Sequence, residues 1–216
     1  MADLKLVPVP TRILTNKDNI VDAIMEYAGH DITNHDIVCV AESVVAITQG
    51  RYIRPEELHI CWQARLMNRF VPGAGSMASI YGMQAAMEEE GKWNMLFSFI
   101  IGAVAKIFGK AGVFYARCRQ ASLIDDVTGT MPPFDKCLVY GPADTDRVCE
   151  EIKNATGAYG AVIADVNDLK RSAVLGKSKG INPGQIAKIL IDNPFGNYNQ
   201  KTPIVIIKNF TDHINR

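Results

Sequence analysis

Two acidic segments of the chain carry residue types that could hold a metal ion. Asp125 lies in the polar stretch 120–133, whereas Asp165 and Asn167 follow the apolar run 160–164. In sheets with helical crossovers, ligands collect just outside the carboxyl ends of strands, and carboxylate and amide oxygens suit Mg²⁺ or Mn²⁺. If the two segments meet, their carboxylates repel each other unless a cation lies between them. This pairing is the sharpest site hypothesis from the residues alone, and turn-forming aspartates are the alternative.

A basic segment, LGKSKG at 175–180, invites comparison with a phosphate-binding loop. That motif requires a second glycine upstream of its Gly-Lys pair, and the preceding residues 170–174 contain none. Lys177 and Ser178 could still contact a phosphate through backbone N–H groups and ammonium charge. A solvated, flexible loop is the alternative.

Hydrophobic periodicity predicts the elements that must position these residues. Near-continuous apolar or β-branched runs predict strands, and the proline-flanked first one suits a sheet edge. The predicted strands are 4–9, 36–41, 112–118, 137–140, 160–164 and 203–208. Helical spacing predicts helices at 18–28, 55–70, 145–154 and 185–191, with Thr15 or Asn16 capping the first. Residues 42–50 fit either a short helix or more strand, and 120–133 fits a loop.

Segment 76–108 is rich in methionine, alanine and aromatic residues. It is predicted to form a pair of helices, inserted at about 72–110 into a single domain that spans 1–216. The helical spacing of Trp93 and of the methionines favours a core or dimer surface over a cofactor stack. A further hypothesis is that this insert is a dimer or partner surface on which the function of the protein depends.

Composition argues against several classes of protein. With 216 residues and 48% apolar content, the chain can bury a large core. Lys plus Arg and Asp plus Glu each number 23, so no global field attracts nucleic acid or an anionic membrane, and neither partner is predicted. Five scattered cysteines without a C-x-x-C pair indicate neither a disulfide framework nor a zinc site. With no basic, apolar leader, the sequence predicts a cytoplasmic protein.

Four segments carry a family resemblance when they are taken in order. They are DIVCVAESVVAITQGR (36–51), LIDDVTGTMPP (123–133), TGAYGAVIADVND (156–168) and DNPFGNYNQKTPIVII (192–207). The first resembles the opening signature of the coenzyme F(420)-0:L-glutamate ligases, which are γ-glutamyl ligases. The second resembles their Ile-Asp loop, the third their strand ending in Asp-x-Asn, and the fourth the tail of a ligase-like subgroup.

The resemblance implies an α+β fold, with mixed sheets and packed helices, that forms an intertwined homodimer. It also implies an enzyme that uses GTP and Mg²⁺ or Mn²⁺ to join L-glutamate, through its γ-carboxylate, to a deazaflavin acceptor. The implied metal ligands are Asp125 and Asp165, with Thr128 and Asn167 beside them. The residues implied to line the nucleotide are Thr11, Arg12, Ile13, Leu14, Glu42 and Ser43.

Two departures from the family pattern motivate an alternative function. Ile47 stands where a lysine is expected, and Asp168-Leu169 stands where Gly-Arg and further arginines are expected. Lys170, Arg171, Lys177 and Lys179 are candidate substitutes, although lysine lacks the bidentate fork of arginine. The alternative is a protein that binds a nucleotide or a flavin-like cofactor on the same scaffold without forming amide bonds.

Overall fold

The computed structural model describes residues 4–71, 76–127, 130–196 and 200–214, which fall into two compact units. The first unit comprises residues 1–50 and 142–216, and the second comprises 51–141. The strands among the described residues are β1 (Lys5–Val9), β2 (Ile37–Ala41), β3 (Tyr52–Ile53), β4 (Leu138–Val139), β5 (Gly160–Asn167), β6 (Arg171–Lys177) and β7 (Ile204–Lys208). The α-helices are α1 (Ile20–Ala28), α2 (Glu42–Thr48), α3 (Trp62–Asn68), α4 (Ile80–Glu90), α5 (Lys92–Ile107), α6 (Val113–Arg117), α7 (Thr145–Thr156), α8 (Pro183–Ile189) and α9 (Phe210–Ile214).

The first unit is built on a mixed five-stranded sheet with the order β1-β7-β2-β5-β6. Strands β2 and β5 are parallel, and every other neighbouring pair is antiparallel. The proline-flanked strand β1 lies at the edge, as the sequence predicts, because proline cannot donate to a ladder on both sides. The mixed α+β class is therefore confirmed, whereas the homodimer stays a prediction.

Helices cover both faces of this sheet, which explains why its central strands are apolar at every position. On one face, Val38, Val40 and Ile163 pack with residues of α1, α2 and α7. On the other, Cys39 and Val162 pack with residues of α8 and α9. Successive residues of a strand alternate between these two cores, as the pleat requires.

A buried carboxylate anchors the start of β2. The Asp36 side chain is fully buried and accepts hydrogen bonds from Lys208 Nζ (2.6 Å), Asn209 N (2.9 Å) and both Thr33 N and Oγ1 (2.8 Å each). Burial alone would raise the pKa of Asp36, but these hydrogen bonds outweigh it and lower the pKa. The bonds fix β2 against the end of β7.

The second unit is mainly helical. Helices α3, α4 and α5 pack together around buried Met67, Met83, Met87 and Met95, and a short ribbon pairs β3 with β4. The predicted pair of helices within 76–108 is confirmed as α4 and α5. No helix among the described residues is long and apolar enough to cross a membrane.

Two predictions in or near the second unit are wrong. Residues 113–117 form helix α6 rather than a strand, because Phe114 packs against Gly102 of α5 and tertiary contacts override β-propensity. Within 55–70, only Trp62–Asn68 is α-helical, and Pro55–Glu57 forms a separate 3₁₀ turn. Strand 137–140 is present as β4 and pairs with β3.

Three corrections concern the first unit. Asn19, not Thr15 or Asn16, caps α1, since its Oδ1 accepts from the amides of residues 21 and 22. Strand β5 continues to Asn167, three residues beyond its predicted end, because β6 pairs with it along that length. The segment predicted as a basic loop, 175–180, contributes its first three residues to β6. Within residues 42–50, left open above, Glu42–Thr48 forms helix α2.

Candidate functional site

The register of the sheet brings several predicted site residues to one edge of the first unit. Ala41 of β2 pairs with Ala164 of the parallel strand β5. Glu42 directly follows Ala41 and Asp165 directly follows Ala164, so both lie at the same edge of the sheet. The segment after β1 reaches the same edge, since Thr11 N donates to Lys201 O (2.9 Å) just before β7. We call this the carboxyl edge, and it comprises residues 10–14, 42–43, 165–171 and 201–203.

Asp165 is the electrostatically unusual residue of the carboxyl edge. Its side chain is partly buried, and burial raises the pKa of Asp165 above its usual value. No hydrogen bond or ion pair joins this carboxylate to another described residue. A partly buried carboxylate without a compensating group is costly to keep charged, so the site would gain from a bound cation.

Asn167 supplies a second oxygen beside Asp165. The two residues are two positions apart in β5 and therefore lie on the same face of the strand. Asn167 Oδ1 accepts a hydrogen bond from Leu169 N (3.0 Å), which leaves one lone pair free. Among the described residues, no group of three His, Cys, Asp or Glu side chains could hold a metal. A pair of oxygen ligands still fits Mg²⁺, which is commonly held by one or two carboxylates, substrate phosphates and water.

The segment 11–14 is held in place by an ion pair at the start of α1. Arg12 contacts Asp18 through two hydrogen bonds, Nη2 to Oδ1 (2.6 Å) and Nη1 to Oδ2 (3.0 Å). Arg12 and the backbone N–H of Thr15 together hold the pKa of Asp18 well below its usual range. Leu14 is buried in the core and Ile13 is partly exposed. The backbone of this segment is therefore well fixed, while the Arg12 guanidinium is already engaged.

Helix α2 begins at the carboxyl edge and presents Glu42 and Ser43, both partly exposed. Ile47, which stands where a basic residue is expected, is buried instead. Its side chain belongs to the protein interior and contributes no charge to a phosphate. Any cation near the edge must come from elsewhere in the chain.

The structure separates Lys177 and Ser178 from the carboxyl edge. Lys177 pairs with Val162 near the start of β5, at the opposite edge of the sheet. Ser178 is fully buried, and its Oγ accepts a hydrogen bond from Ala161 N (3.0 Å). These contacts are those of a structural residue at a strand end. Lys177 and Ser178 therefore lie away from the other predicted site residues of the first unit, and ligand binding by this pair stays a prediction.

Asp125 belongs to the second unit. The backbone of Asp125 is paired with Val139, with N–O distances of 2.8 and 2.9 Å, which places Asp125 beside β4. Thr128 lies outside the described residues. The pairing of Asp125 with Asp165 stays a prediction.

Sequence reasoning missed the contribution of the segment before β7. Lys201 and Pro203 reach the carboxyl edge because β7 lies between β1 and β2, a strand order that no local pattern reveals. Of the candidate substitute cations, Lys170 pairs with Asp192 and Arg171 opens β6 at this edge, exposed and without an ion pair among the described residues. A cavity of about 440 Å³ opens beside the edge. Its polar lining residues include Asp168, Asn193, Gln200 and Thr202.

Comparison with known families identifies the family of this chain. The family described as F420-0:gamma-glutamyl ligase matches residues 8–174, which is most of the 216-residue chain. The chain belongs to this family. The matched range includes both acidic segments and the 11–14 and 42–43 segments, but it ends before Lys177 and Ser178. No curated protein matches the chain.

Membership in the F420-0:gamma-glutamyl ligase family implies a ligase that acts on small molecules in coenzyme F420 biosynthesis. It leaves open which residues bind the substrates. The carboxyl edge is the part of the first unit where most of the site residues predicted from the sequence come together.

Proposed function

We propose that this protein uses GTP and Mg²⁺ or Mn²⁺ to join L-glutamate, through its γ-carboxylate, to a deazaflavin acceptor of the coenzyme F420 type. The observation that carries the proposal is Asp165, a partly buried carboxylate of raised pKa and without a partner among the described residues. It directly follows the parallel pairing of β2 with β5, at the edge where sheets of this kind bind ligands. Family membership supports the ligase class.

The chemistry is activation of a carboxylate followed by attack of an amine. The terminal phosphoryl group of GTP passes to a carboxylate oxygen, giving an acyl phosphate and GDP. The amine nitrogen then attacks the acyl carbon, the C–O bond to phosphate breaks, and inorganic phosphate leaves as the amide forms. Such transfers depend on positioning and on offsetting the phosphoryl charge rather than on covalent catalysis by the protein.

Different residues of the carboxyl edge would bind the cation, the nucleotide and the phosphates. Asp165 and Asn167 hold the divalent cation, which supplies positive charge to the transferring phosphoryl group when it is bound. The fixed 11–14 backbone and the start of α2 at Glu42 line the nucleotide. Arg171 is an exposed cation available to the phosphates in place of Ile47.

A second function has its own supporting observation. Ile47 is buried and Lys170 is paired with Asp192, so two positions that could carry phosphate-binding charge do not offer it freely. A protein that binds a nucleotide or a flavin-like cofactor without forming amide bonds would tolerate both changes.

A product assay with a matched pair of variants distinguishes these functions. Protein is incubated with GTP, Mn²⁺, glutamate and a deazaflavin acceptor, and the amide product is measured by mass spectrometry. We expect Asp165→Asn to lower turnover at least 100-fold, the order of loss seen when one preorganised electrostatic group is removed. Asp31→Asn makes the same change at an exposed residue before β2, at the other end of the sheet, and should retain activity.

One result would contradict the site assignment, and another would contradict the ligase function. Full turnover by Asp165→Asn would overturn the site assignment while leaving the ligase intact. If the unaltered protein forms no product, yet a flavin-like ligand raises its Tm without GTP or metal, the binding function replaces the ligase.

A further inference from the structure

Two turns in the first unit have the same sequence pattern and the same hydrogen bonds. One is TNKD (15–18), just before α1, and the other is TNHD (33–36), just before β2. In each turn, Oδ2 of the aspartate accepts from the threonine N (2.7 Å in the first turn, 2.8 Å in the second) and from the threonine Oγ1 (3.1 and 2.8 Å). The aspartate N donates in return to the threonine carbonyl (3.0 and 3.1 Å). Such local bonds from threonine and aspartate are a common way to form a turn, and here they use one carboxylate oxygen.

Each aspartate also binds a cation from outside its turn. Asp36 binds Lys208, and this contact ties the start of β2 to the end of β7, away from the carboxyl edge. Asp18 binds Arg12 instead, with its Oδ1 accepting from Nη2 and its Oδ2 accepting from Nη1. Arg12 belongs to the carboxyl edge. The same turn therefore serves the fold in one case and reaches the candidate site in the other.

The segment 11–14 has no regular secondary structure, so side-chain hydrogen bonds hold much of its backbone. Thr11 Oγ1 donates to Arg12 O (2.7 Å), and Arg12 Nη1 donates to Ile13 O (3.3 Å) as well as to Asp18. A two-point contact between an arginine and a carboxylate is stronger and more directional than a bond between neutral groups. Asp18 therefore fixes this segment to the turn that precedes α1.

Two residues of this segment have an engaged carbonyl and an unused N–H group. The carbonyls of Arg12 and Ile13 accept the bonds from Thr11 and Arg12. The N–H groups of Arg12 and Ile13 form no hydrogen bond with another described residue. Successive backbone N–H groups can bind anionic oxygen atoms, so this pair suits the oxygen atoms of a nucleotide.

We propose that Asp18 is a positioning residue that sets the affinity of this protein for the nucleotide. Its ion pair with Arg12 holds the backbone of 11–14, so the two unused N–H groups can donate to nucleotide oxygens without first being ordered. The proposal rests on the proposed function, in which this segment lines the nucleotide. Asp36 forms the equivalent turn but holds β2 to β7, so it has no part in nucleotide affinity.

A substitution that cuts the ion pair but keeps the turn tests the proposal. In Asp18→Asn the side chain keeps one oxygen for Thr15, but its NH₂ group cannot accept a hydrogen bond from Arg12. Titration calorimetry with GTP and Mn²⁺ should show a Kd about tenfold higher, the cost of ordering the released segment on binding. The Tm should fall by no more than about 4 °C, because Arg12 is half exposed and such pairs add little stability.

The equivalent turn supplies the matched control. Asp36→Asn makes the same change where the residue is fully buried. It should lower the Tm by more than Asp18→Asn does, because it leaves Lys208 without its carboxylate partner, yet the Kd for GTP should stay that of the unaltered protein. Arg147→Gln is a second control that removes exposed ion pairs on α7 and alters no buried group. It should also leave the Kd unchanged, so the comparison holds even if Asp36→Asn does not fold.

Two further measurements distinguish positioning from a purely structural role. Arg12→Gln should raise the Kd for GTP by a similar factor, and combining it with Asp18→Asn should raise the Kd no further, since both changes remove one contact. In the product assay, Asp18→Asn should raise the KM for GTP and leave kcat within about twofold, because Asp18 contacts no reacting atom. A purely structural role would lower the Tm without changing the Kd or the KM.

The possible failures of this proposal and of the proposed function are distinguishable. An unchanged Kd for GTP in both Asp18→Asn and Arg12→Gln would overturn the positioning role and leave the ligase standing. An equal rise of the Kd in Asp36→Asn would also overturn it, because a general loss of stability would then explain the effect. If the unaltered protein binds GTP with the expected dependence on Asp18 but forms no amide, the ligase fails and the positioning role stands. If it binds no GTP, both fail.

Discussion

At the scale of single residues, the raised pKa of Asp165 predicts how the stability of the protein depends on pH. Its folded pKa is raised by burial, so the folded state binds a proton more tightly than the unfolded state, where the value is 3.8. The contribution of Asp165 to stability is therefore full below that value and is lost as the pH rises through the folded pKa. We expect Asp165→Asn to raise the Tm at pH 7, and we expect the difference to shrink as the pH falls toward 3.8.

A metal titration in the same thermal melts completes this prediction. Mn²⁺ at about 100 times its Kd should stabilise the unaltered protein by about 2.7 kcal/mol, or about 5–10 °C for a chain of this size. The Asp165→Asn variant should not respond. If the variant is instead less stable at pH 7, the carboxylate has a favourable partner and its pKa is not raised.

Residue types alone predicted part of the site, and the reason is physical. Asp165 and Asn167 were identified because oxygen ligands after an apolar run have a recognisable pattern, and the sheet places them with Glu42 at one edge. Ser178 has the same chemistry as a phosphate-binding serine, yet its hydroxyl serves the backbone of Ala161. Whether a polar side chain serves the fold or a ligand depends on partners distant in sequence.

At the scale of elements, the packing of β6 against α7 gives a second prediction. A Cβ added at Gly176 would lie 2.3 Å from Thr145 Cβ and 2.7 Å from its carbonyl carbon, so backbone atoms would have to move. We expect Gly176→Ala to lower the free energy of unfolding by about 1–3 kcal/mol, the usual cost of overpacking. Urea denaturation with an unchanged m-value would measure it.

The matched control for this substitution is Gly184→Ala in α8. The nearest atom to its added Cβ is Asn182 Oδ1 at 3.5 Å, which is ordinary contact. This variant should be neutral or slightly stabilising, because alanine costs less backbone entropy than glycine in a helix. Equal stability of the two variants would mean that β6 and α7 are not packed as described.

Local sequence patterns predicted helix or strand correctly for most elements. They failed where contacts between elements determine the secondary structure. Strands β1, β2 and β7 and helices α1, α4 and α5 match their predicted types. The aromatic and β-branched run 112–118 became α6 because Phe114 fits against Gly102 of α5. Strand β6 was missed because its residues are only partly buried and its partner β5 is needed to recognise it.

At the scale of the whole molecule, chemistry and apolar exposure fall in different parts of the chain. The carboxyl edge belongs to the first unit, whereas twelve of the fifteen exposed large hydrophobic residues in the described part of the chain lie in the second. Composition could not reveal this division, because the net charge of zero and the apolar content are averages over both units. The strand order that assembles the carboxyl edge is equally a property of the whole sheet.

Hydrogen–deuterium exchange on the full chain tests this division in one experiment. GTP with Mn²⁺ should slow exchange in peptides covering 10–14, 42–43 and 165–171, because binding N but not the locally opened state lowers the opened population. Protection by the nucleotide at 177–180 would move the phosphate site to the opposite edge of the sheet, where Lys177 and Lys179 lie. Protection by the nucleotide confined to α3 and α5 would contradict the division, because the carboxyl edge belongs to the first unit.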